Sequence, residues 1–89
     1  MRVESIWFSP DSIDALQAEM RRAIDKHGIE ETPLVQDDEG SLPILVEELG
    51  EVARAMTYDC GDRAKLAAEL LQTAAMALAW HQKLMETPL

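Results

Sequence analysis

No stretch of this chain alternates polar and apolar residues at the two-residue period of a strand. Three long segments instead repeat apolar side chains at helical spacing, which restricts the fold to the all-α class. In SPDSIDALQAEMRRAIDKHG, Ser9 stands as N-cap and Pro10 at the first helical position. Asp11 falls in the first turn, Lys26 and His27 in the last, and Gly28 just past the end. These signals predict a helix over 10–27, with Ile13, Leu16, Met20, Ala23, Ile24 and His27 at helical spacing. A second helix is predicted over 42–57, starting near Ser41 to Pro43, and a third over 62–86, with Asp62 as N-cap after the turn YDCGD. The third is rich in alanine, which lets helix axes come close. Residues 28–41 contain a proline, an acidic run and a glycine, and are predicted to form a connecting loop, either a solvated linker or a cover over a site.

With 89 residues the chain is expected to form one domain over 1–89, near the size at which a single core barely suffices, so a partner subunit would help. The only aromatic residues are Trp7, Phe8, Tyr58 and Trp80, which leaves a core of aliphatic side chains, methionine and alanine. Lys and Arg number 8 against 17 Asp and Glu, a net charge of −9. That balance argues against nonspecific binding to nucleic acid or to an anionic membrane surface, and an anionic ligand would need a metal to mediate. Cys60 is the sole cysteine, so neither a disulfide within the chain nor a cysteine zinc cluster is available, and a cytoplasmic setting is expected. No apolar run reaches the ~20 residues of a membrane span. Residues 1–8 read either as a disordered start or as an apolar arm using Ile6, Trp7 and Phe8.

The segment ILVEELGEVARAM at 44–56 carries the chemistry. Glu47, Glu48 and Glu51 fall within an arc of about 100°. Leu45, Leu49, Val52 and Met56 form a separate stripe expected to face the core. Like charges three or four residues apart each destabilise a helix by roughly 0.2–0.5 kcal/mol. Only Arg54 is placed to compensate, and Gly50 adds about 1 kcal/mol relative to alanine. Such a cost without local return suggests function. In the third helix, ELLQ places Glu69 and Gln72 at the same three-residue spacing. Antiparallel neighbours joined by a short turn can bring the two pairs face to face, and hard oxygen ligands on such supports suit Mg²⁺ or Mn²⁺.

EELGE at 47–51 followed by ELLQ at 69–72 resembles the MazG-type, all-α nucleoside triphosphate pyrophosphohydrolases, whose signature is ExxE, a spacer, then ExxD. The resemblance covers residues 41–82. It implies a small antiparallel helical bundle completed by oligomerisation as a homodimer or homotetramer. It also implies a Mg²⁺-dependent split of a nucleoside triphosphate into monophosphate and pyrophosphate, with water attacking the α-phosphorus. Glu48, Glu51 and Glu69 would be metal ligands, with Gln72 where the family has aspartate. Glu47 would orient a water or help as a base, so that Glu47, Glu48 and Glu51 form the expected catalytic group. Gln72 can coordinate through its carbonyl oxygen but brings no charge. Two outcomes follow: a working variant site, or a degenerate site on a helical interaction and assembly scaffold. The family's further helix after the second motif has no counterpart before Leu89, so two subunits would complete the bundle.

Arg54 reads as a phosphate contact or as a partner for Glu51. Trp80 reads as a stacking surface for a nucleobase or as a packing residue of the core or a dimer. His27 and His81 lack the histidine at i+4 that a zinc helix needs, and Cys60 has no neighbouring base in sequence. No glycine-rich phosphate loop is present.

Overall fold

The computed structural model describes residues 7–58 and 60–86. Three helices follow one another: α1 over Pro10–His27, α2 over Asp38–Thr57 and α3 over Arg63–Glu86. A single 3-10 turn at Ile29–Glu31 follows α1, and no strand occurs among the described residues.

Local chemistry accounts for the ends of α1 and α3. Ser9 Oγ accepts a 3.1 Å hydrogen bond from the Ser12 amide, and Pro10 loses nothing by lacking an amide proton in the first turn. Gly28 adopts φ 89°, where a side chain is disfavoured, and its amide donates to the Ile24 carbonyl at 2.8 Å. Asp62 Oδ1 accepts from the amides of Ala64 at 3.0 Å and Lys65 at 3.2 Å, so it caps α3 as expected.

Helix α2 starts at Asp38, earlier than the predicted 41–43. Asp37 is the N-cap: its Oδ1 accepts from the Gly40 amide at 2.7 Å and its carbonyl from the Ser41 amide at 2.9 Å. Asp38 and Glu39 occupy the first turn, where negative charge meets the positive end of the helix dipole. Pro43 therefore lies inside the helix rather than opening it. The cap and the first-turn acids hold the segment helical despite the hydrogen bond that proline cannot make to the Glu39 carbonyl.

The remainder of the predicted loop is also organised. Thr32 Oγ1 donates to the Ile29 carbonyl at 2.7 Å and accepts from the Leu34 amide at 3.3 Å, while Gln36 Nε2 donates to the Glu30 carbonyl at 2.6 Å. Thr32 and Pro33 are fully buried.

Helix α3 packs closely against both α1 and α2, whose backbones do not approach one another as closely. Ala23, Ala75 and Met76 form the centre of the core, with Leu16, Met20, Ile44 and Leu45 packed around them, and Val52, Ala55 and Ala79 are also buried. The alanines permit the close α1–α3 approach. The apolar stripe expected on α2 is only half right. Val52 is buried and Leu45 is partly so, but Leu49 and Met56 are exposed. The inner line runs instead through Ser41, Ile44, Glu48, Val52 and Ala55. That rotation turns Glu48 towards the protein interior. Of the proposed N-terminal arm, Trp7 and Phe8 are exposed and Ile6 lies outside the described residues.

Candidate active site

Because the backbones of α1 and α2 both lean on α3 and stay apart from one another, a groove of about 760 Å³ opens between them. Glu47, Glu48 and Glu51 of α2 and Glu69 and Gln72 of α3 line it. The two sequence pairs therefore share one cavity. Met76 and Ile44 supply an apolar part of the lining.

Glu48 and Glu69 each bury one carboxylate oxygen, Oε2, with no hydrogen-bond partner. A buried acceptor without a donor is costly, and more so when charged. The Glu48 carboxyl responds by moving above its ordinary pKa. Burial is the main cause, and Glu69, Glu47, Glu19 and Glu51 add repulsion. A cation between these groups would remove both penalties.

The wall formed by α1 could not be read from the motif. Glu19, Arg22, Lys26 and His27 line the groove, with Glu31 and Thr32 from the segment that follows. Arg22 grips Glu19 through both nitrogen positions, with Nε at 2.9 Å from Oε2 and Nη2 at 2.6 Å from Oε1. That hydrogen bond is the chief reason the Arg22 guanidinium holds its proton more firmly than usual, and Glu48 and Glu69 add to the effect across the groove. The three-residue step from Glu19 to Arg22, and the four-residue step on to Lys26, are visible in sequence. The packing of α1 on α3 decides which way these residues face.

Arg54 and Trp80 are not among the residues lining this groove. Trp80 Nε1 donates to Asp38 Oδ1 at 2.7 Å, which ties α3 to the start of α2. Cys60 is a free, exposed thiol in a left-handed turn position, φ 57°.

Among the described residues, no three histidine, cysteine or acidic side chains come together as a ready-made metal cage. Two buried, unpartnered carboxylate oxygens nonetheless fit magnesium, which commonly binds through one or two carboxylates and completes its shell with water and substrate phosphate. Glu48 and Glu69 would hold such an ion, with Glu51 and Gln72 on the same lining.

Fold and groove define the class: a three-helix all-α protein with a carboxylate-lined cleft and a partly basic wall. No protein-family model, curated protein or solved structure matches the chain. No helix among the described residues is long and apolar enough to cross a membrane.

Proposed function

We propose that this chain is a Mg²⁺-dependent nucleoside triphosphate pyrophosphohydrolase of MazG-like type, releasing a nucleoside monophosphate and pyrophosphate. The observation that carries this reading is the pair of unpartnered buried oxygens on Glu48 and Glu69 within a groove that also holds Arg22 and Lys26. When bound, the cation supplies neutralisation of the polyphosphate and activation of water. The chain's own residues divide the remaining tasks. Glu48, Glu51, Glu69 and Gln72 form the cation's side of the groove. Arg22 and Lys26 offer positive charge to phosphate oxygens, and Arg22 is held in place by Glu19. Glu47 is exposed in the same groove, where an ionised carboxylate can orient or deprotonate water. Six glutamates against Arg22 and Lys26 keep a bare triphosphate out, so cation and nucleotide enter together. Mn²⁺ would satisfy the same oxygen donors.

A second reading, a non-catalytic helical assembly protein with a degenerate cleft, is favoured by Gln72 at the fourth motif position and by the exposed apolar side chains of α2. A panel of nucleoside triphosphates assayed for pyrophosphate with and without Mg²⁺ separates the two. The hydrolase reading expects metal-dependent release that disappears in Glu48→Gln and in Glu51→Gln while helicity is retained. Turnover unaffected by both substitutions, or no hydrolysis of any common nucleotide and no binding of millimolar Mg²⁺, rejects it.

A further inference from the structure

On the side of α1 away from the acidic groove lies a second cavity, of about 540 Å³, which shares no lining residue with the first. The α1 residues that line the two are centred roughly 180° apart around the helix, so the sites are separate. The size is ordinary for a small-molecule site. Asp14 and Arg21 both line it, seven residues and therefore about 10.5 Å apart along one side of α1. Neither is held in an ion pair among the described residues. Met20, Ile24 and Leu34 supply an apolar lining, and Gln17 and Gln82 bring side-chain amides that no described residue hydrogen-bonds. Past these glutamines the cavity adjoins a recess of about 50 Å³ backed by Leu16, Ala75 and Ala79. One water needs about 10–15 Å³ of such space, so the recess admits a side chain of valine size and no aromatic ring.

We infer that this cavity binds a short zwitterionic peptide, a free tripeptide with a small aliphatic residue in the middle. Three arguments select that ligand. The first is charge. One acid balances one base in the lining, which suits a ligand neutral overall and disfavours a dianionic phosphate in a chain of net charge −9. The peptide's ammonium meets Asp14 and its carboxylate meets Arg21. The second is length. Three extended residues span about 10 Å, which matches the separation of the two charged positions. A longer segment carries its termini past both. The third is the chemistry between the charges. A glutamine amide offers one carbonyl acceptor and an NH₂ donor, the complement of a peptide N–H and C=O, so Gln17 and Gln82 pair with the ligand backbone while the recess takes its central side chain. The site does not rest on the hydrolase reading.

Gly-Val-Gly titrated into the isotope-labelled full chain should shift the NMR signals of the Gln17 and Gln82 side-chain amides, with a Kd on the order of 0.1–1 mM for a ligand of this size. Gly-Gly-Gly should bind about tenfold more weakly, because it leaves the recess unfilled. Acetylating the amino end of Gly-Val-Gly or amidating its carboxyl end should each weaken binding about fivefold, the worth of an ion pair near the surface. Asp14→Asn and Arg21→Gln should each cost as much with the unblocked peptide, and nothing further with the peptide already blocked at the matching end. Both side chains are exposed, so the fold survives these changes. No shift at about 10 mM Gly-Val-Gly overturns the proposal, and so does binding indifferent to both blocking groups. Tighter binding by Ac-Lys-Val-Glu-NH₂ than by Gly-Val-Gly also overturns it, by assigning the cavity to a segment inside a longer protein. None of these results bears on Mg²⁺ binding or pyrophosphate release.

Discussion

The indole Nε1 of Trp80 donates a 2.7 Å hydrogen bond to Oδ1 of Asp38, across 42 residues of sequence. It joins the later part of α3 to the first turn of α2 and so helps set the angle at which α2 meets the groove. Trp80→Phe and Asp38→Ala should each lower stability by about 1 kcal/mol. In a double-mutant cycle by urea denaturation the two losses should be less than additive. Full additivity would show that the contact contributes nothing.

Glu48 adds a pH-dependent contribution to the stability of the fold. Its carboxyl is pushed above the ordinary range by burial and by the neighbouring glutamates, so the native state keeps this proton to a higher pH than the unfolded chain. Its stabilising contribution is therefore complete below the unfolded pKa and is lost as pH rises through the folded one. Without divalent metal, stability should decline as pH climbs out of the acid range, and Glu48→Gln should flatten that slope and raise the melting temperature at neutral pH. A wild-type slope retained by Glu48→Gln would assign the effect to other groups.

Gln72→Asp adds a charge to the groove that already holds Glu48, Glu51 and Glu69. The expected outcome is opposite in the two states: lower stability without metal, and Mg²⁺ affinity higher by on the order of tenfold, because charge count tunes hard-cation sites. Calorimetric titration of both proteins measures this. Equal affinities would remove residue 72 from the cation's surroundings.

Ser41 is fully buried on the inner line of α2, and its hydroxyl has no hydrogen-bond partner. Ser41→Ala removes that cost and improves helix propensity, so stability should rise by about 1 kcal/mol. A loss instead would reveal a partner for the hydroxyl, such as a buried water.

Gly50 lies inside α2, and nothing stands within 4 Å of where a Cβ would be. No described residue needs the space that glycine leaves there. Gly50→Ala should stabilise the folded chain by about 0.5–1 kcal/mol, read as a shift in urea midpoint at constant slope. A destabilised variant would locate a close neighbour at this position.

Much of this protein is decided within a few residues of sequence. Ser9, Pro10 and Gly28 delimit α1 and Asp62 opens α3, because caps and turns act through hydrogen bonds and backbone angles spanning one helical turn. The three-residue spacing of Glu48 with Glu51, and of Glu69 with Gln72, places each pair on one side of its helix for the same local reason. The start of α2 is less legible, since Pro43 carries a start signal that the Asp37 cap overrides. Tertiary structure settled what periodicity leaves open. Residues 42–56 contain two apolar arcs, and a helical repeat specifies faces without saying which of them meets a neighbour. The docking of α3 buried the line of Val52 and Ala55, left Leu49 and Met56 outside and carried Glu48 inward. The Arg22 and Lys26 wall likewise depends on where α1 settles on the alanines of α3. Burial and charge at the groove are collective properties of three helices, fixed only when their surfaces meet.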